Sequence, residues 1–448
     1  MERIHIYHSN DVHSHLEHWP RIQDFLQQKR AQYEAAEEDF FLFDIGDFID
    51  RWHPLTDATM GKANVNLLNE SCYTAITIGN NEGINLPHES LNHLYKEAQF
   101  DVLLANLYQQ DGQLPDWAKP YTIYHTKKGT KIGVIGLTAP FVQLYELLGW
   151  ICTDPFSEME KWIHQLKTEV DIVILLSHLG IQDDERMVQM FPDIDVIIGA
   201  HTHHVFPDGK LINGTLLGAA GKFGYYLGQI TLEVNQDKTI ASKVATLYEY
   251  NSLPPLADEV EKVQLFINTG KELLQEQVIT LKHPLESHPF QETELSMLLC
   301  QAVREWCKAD CAMVNAGLLL GPLLGKVTLY DLLTICPHPI NPCVVEVTGA
   351  ELLKLIQESK NETLHHKQIK GLGFRGDVLG IFVYDGIQFQ TDGIYIANEE
   401  LVLSKMYTLA LPDMFTFGHF FKDVLPIKEK KYLLPEFLRD ILRWKLEN

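Results

Sequence analysis

Short apolar runs punctuate the first 250 residues, each set off by a longer amphipathic or polar stretch. RIHIYHS, DFFLFDIG, AITIG, DVLLANL, KIGVIGLT, DIVILLSHLG and DVIIGAH are all of strand length, rich in Val, Ile and Leu, and bounded by Gly, Asn or Asp. Runs that are apolar almost throughout predict strands buried on both faces, with the stretches between them as helices covering a sheet. Strand-like pieces after TLLGAAGKFGYYLGQITLEV predict a second sheet packed on the first. The pattern then shifts. After Pro254 and Pro255, apolar residues recur at helical spacing through Val260, Val263, Leu265, Ile267, Leu273 and Leu274, which predicts a connecting helix. Beyond it the signals are mixed, helical in ELSMLLCQAVREWC and GAELLKLIQES, strand-like in NPCVVEVTG, GIFVYDGIQF and MYTLALPD. The chain is therefore expected to divide into an α/β domain over residues 1–252, the connecting helix over 253–286, and a mixed α+β domain over 287–448.

Size agrees with more than one domain, since 448 residues exceed what one core usually organises. A net charge of −23 argues against nucleic acid and against an anionic membrane surface as partners. No segment approaches the roughly 20 apolar residues of a membrane helix. The N-terminus MERIHIYHSN lacks the charged-then-apolar pattern of a signal peptide. Seven cysteines, odd in number and without a CxxC pair, suit a reducing compartment in which most thiols are buried. The expectation is a cytoplasmic protein.

Chemistry enters where the apolar runs stop. The first ends in Asp11 and His13, and the second in Asp47 directly after Gly46. The third ends in Asn80 and Asn81, another in His178, and the last in His201, His203 and His204. Any one of these is an ordinary loop residue; five coincident strand ends are a constellation, because strand ends in such a sheet gather along one edge. Alternate residues of an extended segment point the same way, so His201 and His203 are expected to serve one cluster. Imidazole, carboxylate and one amide, with no thiolate, suit Mn, Zn, Fe or Co better than a structural zinc site. Seven ligands are too many for one ion. Two divalent ions about 3.5–4 Å apart, bridged by a carboxylate, would use them all, lower the pKa of a bridging water and clamp a phosphoryl group. The chemistry implied is hydrolysis of a phosphate ester.

NDVHSH, GDFID, GNNE, SHLG and GAHTHH, in this order, resemble the five motifs of the calcineurin-like metallophosphoesterases, and the spacing and C-terminal half resemble the bacterial 5′-nucleotidase branch. The resemblance covers nearly the whole chain. It implies a four-layer αββα sandwich followed by a helical linker and a substrate-binding domain. It also implies one ion held by Asp11, His13, Asp47 and His203 and another by Asp47, Asn80, His178 and His201. Asn80, Asn81 and His178 would contact the reacting phosphoryl group. The implied substrate is a small phosphate ester, most readily a nucleoside 5′-monophosphate.

Departures from the family pattern are as informative. GNNE stands where GNHE is usual, and Ile84 stands where the partner aspartate of that histidine is expected. A histidine can give a proton to a leaving group, whereas Asn81 can only donate a hydrogen bond. His53 is a candidate replacement acid. In the C-terminal half, MVNAGLLLGPLLGKVTLYDLLTICPHPIN resembles the phosphate-gripping stretch, with Asn315 and Asn341 as substrate-binding candidates. Leu320 occupies the place of its arginine, for which Arg375 could compensate. Phe374, Phe417 and Phe420 are the candidates to stack a base. Two alternatives follow: a phosphodiesterase or pyrophosphohydrolase acting on cyclic nucleotides or nucleotide sugars, and a catalytically weak nucleotide-binding protein.

Overall fold

Two-residue periodicity explains the layering of the N-terminal half. The computed structural model describes residues 1–448, which form two units, Met1–Gly270 and Lys271–Asn448. In the first unit, a seven-stranded sheet runs in the order Ile240–Glu249, Tyr226–Val234, Glu2–Ser9, Asp39–Asp44, Ala75–Ile76, Asp101–Leu103, Ala118–Lys119. A six-stranded sheet runs Lys210–Ile212, Thr215–Gly218, Val196–Gly199, Ile172–His178, Lys131–Thr138, Tyr121–His125. Ile4, Ile6 and Phe43 of the first sheet share one apolar core with Val134, Ile174, Leu176 and Ile198 of the second. The alternate residues Ile135, Val173, Leu175 and Ile197 face the other way, onto Met159, Ile163 and Leu166 of helix Pro155–Glu169 and Met187 of helix Ile181–Met190. On the outer side of the first sheet, Tyr7 packs against Phe25 and Tyr33 of helix Trp19–Ala35. The result is helix, sheet, sheet, helix. Strands buried on both faces must read as continuous apolar runs, as these do.

The runs Glu2–Ser9, Asp39–Asp44 and Ala75–Ile76 lie parallel, as do Lys131–Thr138, Ile172–His178 and Val196–Gly199. Their C-terminal ends therefore share an edge. The third run is shorter than its sequence suggests. Only Ala75 and Ile76 pair, and Thr77 to Gly79 leave the sheet to start the short helix Asn80–Asn85.

The predicted connecting helix is shorter too, spanning Glu259–Leu273. Within residues 253–286 a strand follows it, Gln277–Thr280, paired with Lys326–Thr328. The β-branched pair Val278 and Ile279 favours that outcome. The second unit is built on a five-stranded sheet in the order Phe382–Asp385, Cys311–Asn315, Met406–Pro412, Pro342–Thr348, Lys430–Tyr432. Helices Glu294–Cys307, Gly349–Ser359 and Leu438–Glu447 supply Leu299, Leu355 and Leu442 to its core. Thr348 and Glu351 close a reciprocal cap at the start of the second of these: Glu351 N–H donates to Thr348 Oγ1 (3.3 Å) and Thr348 N–H to Glu351 Oε2 (2.8 Å). No helix of the protein is long and apolar enough to cross a membrane.

Candidate metal centre

Two glycines bring the loops of the first unit together. A Cβ on Gly46, whose φ is +86°, would stand 2.2 Å from Gly79 N, and one on Gly79 would stand 2.1 Å from Asp47 Oδ1. Both positions therefore require glycine. Glu82, fully buried, fixes the same junction by accepting from Gly79 N–H (2.8 Å), Asp47 N–H (2.9 Å) and Ile49 N–H (2.9 Å). Motif reading alone misses this residue; a glutamate directly after two asparagines at a strand end was the available signal. Asn10 plays a like part, donating to Asp11 Oδ2 (2.8 Å) and to Gly221 O (2.7 Å).

Around that junction the predicted side chains converge. Asp47 Oδ2 lies 3.6 Å from His13 Nε2 and 3.4 Å from His178 Nε2. Asp11 Oδ1 lies 3.4 Å from His203 Nε2 and 3.8 Å from His13 Nε2. Two groups have ligand atoms close enough together to hold an ion, Asp11 with His13 and His203, and Asp11 with Asp47 and His178. His201 is beside the second, its ring 5.3 Å from that of His178 and its N–H on the Asp11 carboxylate at 3.1 Å. His13 Nε2, His178 Nε2 and Asn80 Oδ1 are buried and have no hydrogen-bond partner. Three orphaned acceptors in one cluster would be costly as pure structure, and a cation satisfies all of them. The residues fit the divalent metals that the family resemblance implies.

The backbone is held in place for this purpose. Asp11, His13, Asp47, His201 and His203 all have φ between 49° and 68°, a conformation that non-glycine residues adopt at a cost. This corrects the expectation for the His-x-His pair. The strand Val196–Gly199 ends before it, and both histidines are left-handed rather than extended. They diverge, His201 toward His178 and His203 toward Asp11 and His13. His204 is exposed and pairs with Thr202 Oγ1 at 2.9 Å, away from the cluster.

Charges in the cluster compensate one another. Burial opposes ionisation of Asp47, but His178 and His13 outweigh it and push the carboxyl below its usual range. Burial likewise disfavours charge on His178, yet Asp47 and Asp11 raise it to about 10. Burial and the nearby Asp47 lift Glu82 to about 7. A divalent cation would do for these carboxylates what the histidine protons do, and would displace them.

Asn81 does not face the open side of the cluster. It is buried, its Nδ2 lies 2.8 Å from His13 Nδ1, and its Oδ1 accepts from Asn85 Nδ2 (3.1 Å) and Asn80 Nδ2 (3.2 Å). His53 is not a replacement acid. It caps helix Pro54–Thr59, with Nδ1 accepting from Leu55 N–H (3.2 Å), and burial lowers it to about 4, leaving no proton to give near neutrality.

The substrate candidates of the second unit are mostly spent internally. Phe374 is 3% exposed and stacked on His338 (5.1 Å, 3°), and Phe420 is 4% exposed against Phe415. Both rings belong to the core rather than to a base-stacking surface. Asn315 donates to Leu379 O and Asn341 to Glu436 O, each at 2.8 Å. Arg375 lies along its own chain, Nη1 3.4 Å from Phe374 O. Phe417, 43% exposed, and Leu320, 46% exposed, are the ones that present surface.

A four-layer sandwich with Asp, His and Asn gathered at its strand ends defines a metallophosphoesterase domain. Residues 4–205 match the calcineurin-like phosphoesterase family and residues 276–419 the 5′-nucleotidase C-terminal domain. The chain is 43% identical to the uncharacterized metallophosphoesterase YunD of Bacillus subtilis (strain 168), over 99% of both. It is 24% identical to the snake venom 5′-nucleotidase of Naja atra, over 85% of this chain and 81% of that one. In fold it resembles the Haemophilus influenzae NAD nucleotidase (TM-score 0.68, 16% identity, 99% and 95% covered). It also resembles a Thermus thermophilus 5′-nucleotidase precursor (TM-score 0.60, 17% identity, 99% and 96% covered). The protein belongs to the calcineurin-like metallophosphoesterases, in the branch that carries a 5′-nucleotidase C-terminal domain. It is a phosphoesterase of a family that works with divalent metals.

Proposed function

We propose that the protein hydrolyses phosphate monoesters, nucleoside 5′-monophosphates foremost, at a centre of two divalent ions. The carrying observation is the set of buried, unpartnered acceptors, His13 Nε2, His178 Nε2 and Asn80 Oδ1, facing the Asp47 and Asp11 carboxylates. Bound there, the ions would supply Lewis acidity toward phosphoryl oxygens and a nucleophilic water at neutral pH. Asp11, His13 and His203 would hold one ion, Asn80, His178 and His201 the other, and Asp47 stands between the two sets. His178 is oriented for this by its Nδ1–H, donated to Ile45 O at 2.6 Å, which turns Nε2 inward. With the Asn81 amide engaged by His13, Asn80 and Asn85, the leaving oxygen takes its proton from water rather than from that side chain. The nucleotide class rests on the C-terminal match over residues 276–419 and on relatives named as 5′-nucleotidases. Seven unpaired cysteines, five of them buried, support a reducing cytoplasmic setting.

A second reading, cleavage of phosphodiesters or phosphoanhydrides, is favoured by Leu320, an exposed apolar residue where the resemblance expects an arginine clamp. Such groups carry less charge at phosphorus, and an anhydride leaves without a proton. Phosphate release from nucleoside monophosphates, cyclic nucleotides, nucleotide sugars and an aryl phosphate separates the two, measured with Mn²⁺ and then with chelator. Release from a 5′-monophosphate that chelation abolishes is the expected result. Release confined to diesters or anhydrides would replace it with the second reading. Metal binding with no release from any substrate would make the protein a nucleotide binder instead.

A further inference from the structure

A histidine that ligates through one ring nitrogen must carry its proton on the other, so whatever touches that second nitrogen governs the ligand. For His178 a backbone carbonyl settles the matter. For His13 the second nitrogen has two neighbours of opposite character. Asn81 Nδ2 is 2.8 Å from Nδ1, and Asp50 Oδ2 is 3.4 Å from it. The oxygen of Asn81 is occupied by the amides of Asn80 and Asn85, so its NH2 group is the end that meets His13. A donor there calls for a bare Nδ1 and places the proton on Nε2, the atom aimed at Asp47 and Asp11. Asp50 does the reverse, because a carboxylate can only accept.

Asp50 is built to stay where it is. Its residue is 1% exposed, and its N–H donates to Ser14 Oγ at 2.8 Å. That hydroxyl also takes Thr56 Oγ1 (2.9 Å) and Asn64 Nδ2 (3.1 Å), all of them buried. We infer that Asp50 is the positioning residue that makes His13 a metal ligand, by accepting its Nδ1–H, and that Asn81 works against it. Cation affinity on the His13 side is then set by this contest. The inference rests on the proposed metal centre but not on any substrate.

The test is the affinity of the full-length protein for Mn²⁺ and Zn²⁺ by calorimetry, with no substrate present. Asp50→Asn is expected to weaken binding about tenfold to hundredfold, the usual cost of losing an outer partner of a histidine ligand. The double variant Asp50→Asn/Asn81→Asp moves the carboxylate to the other side of Nδ1 at unchanged net charge, and is expected to regain affinity to within a few-fold of the parent. Melting temperatures of the metal-free variants establish that each is folded, and Asp50→Glu serves as the conservative alternative should Asp50→Asn not fold. Unchanged affinity in Asp50→Asn, or a folded double variant as weak as Asp50→Asn alone, would overturn the assignment. Turnover does not enter. A protein inactive on every phosphate ester would refute the proposed function and leave this result standing.

Discussion

The strand-end edge of the first unit and the loops of the second were both expected to touch substrate, and they are built on opposite terms. In the first, side chains meet with ligand atoms unpartnered and five of them on left-handed backbone. In the second, the expected side chains have found partners within their own unit, Phe374 on His338, Asn341 on Glu436 O, Asn315 on Leu379 O. An unsatisfied buried atom is expensive and persists for a purpose, whereas a satisfied one needs none beyond the fold. The contrast separates residues retained for chemistry from residues retained for packing.

The largest expected effect falls on the chemical side. His203→Ala removes a side chain 3.4 Å from Asp11 and should lower activity and bound metal by more than about a hundredfold, exceeding the loss of an outer partner. Metal content by mass spectrometry and phosphate release check it together, and full activity in the variant would erase the distinction drawn above. On the packing side, Phe374→Ala should cost about 3–5 kcal/mol of stability, as for other buried aromatic truncations. Denaturant titration measures that. A variant of parental stability with a raised KM would return Phe374 to the substrate.

Next comes a buried carboxyl that no histidine compensates. Burial lifts Asp413 to about 7, against backbone hydrogen bonds from Asn341 and Met414 that act the other way. A carboxyl raised above its unfolded value near 4 contributes fully while protonated, and that contribution is lost as pH rises through 7. Asp413→Asn should therefore match the parent at pH 4 and exceed it at pH 8 by up to ~4 kcal/mol, with the gap opening between the two. Parallel stability curves across that range would show that Asp413 has a counter-charge after all. The smallest effect is Phe417→Ala, an exposed ring whose loss should change stability by less than about 0.5 kcal/mol. If it nonetheless raises KM for a nucleotide several-fold, Phe417 is the surface that the second unit offers.

Much of the first unit was legible because its signals are local. A strand buried on both faces must be apolar throughout, and a ligand must stand where it ends, so Asp11, Asp47, Asn80 and His178 could be placed from the order of residues alone. The failures have physical causes as well. Divergence of His201 and His203 follows from a left-handed backbone that a period-two argument does not contain. Glu82 and Asp50 act through the backbone and through another ligand, and contacts between loops over thirty residues apart leave no local pattern. In the second unit, nothing in GFRGD distinguishes a phenylalanine that stacks on a base from one that stacks on His338.

Gly46 and Gly79 touch across the junction, each leaving no room for a side chain on the other's account. The two motifs they begin are thus a single heritable unit, although they sit far apart in the chain. A recombinant that takes the GDFID loop from one relative and the GNNE loop from another inherits half of a fitted pair. Library design around this site should shuffle the two loops together.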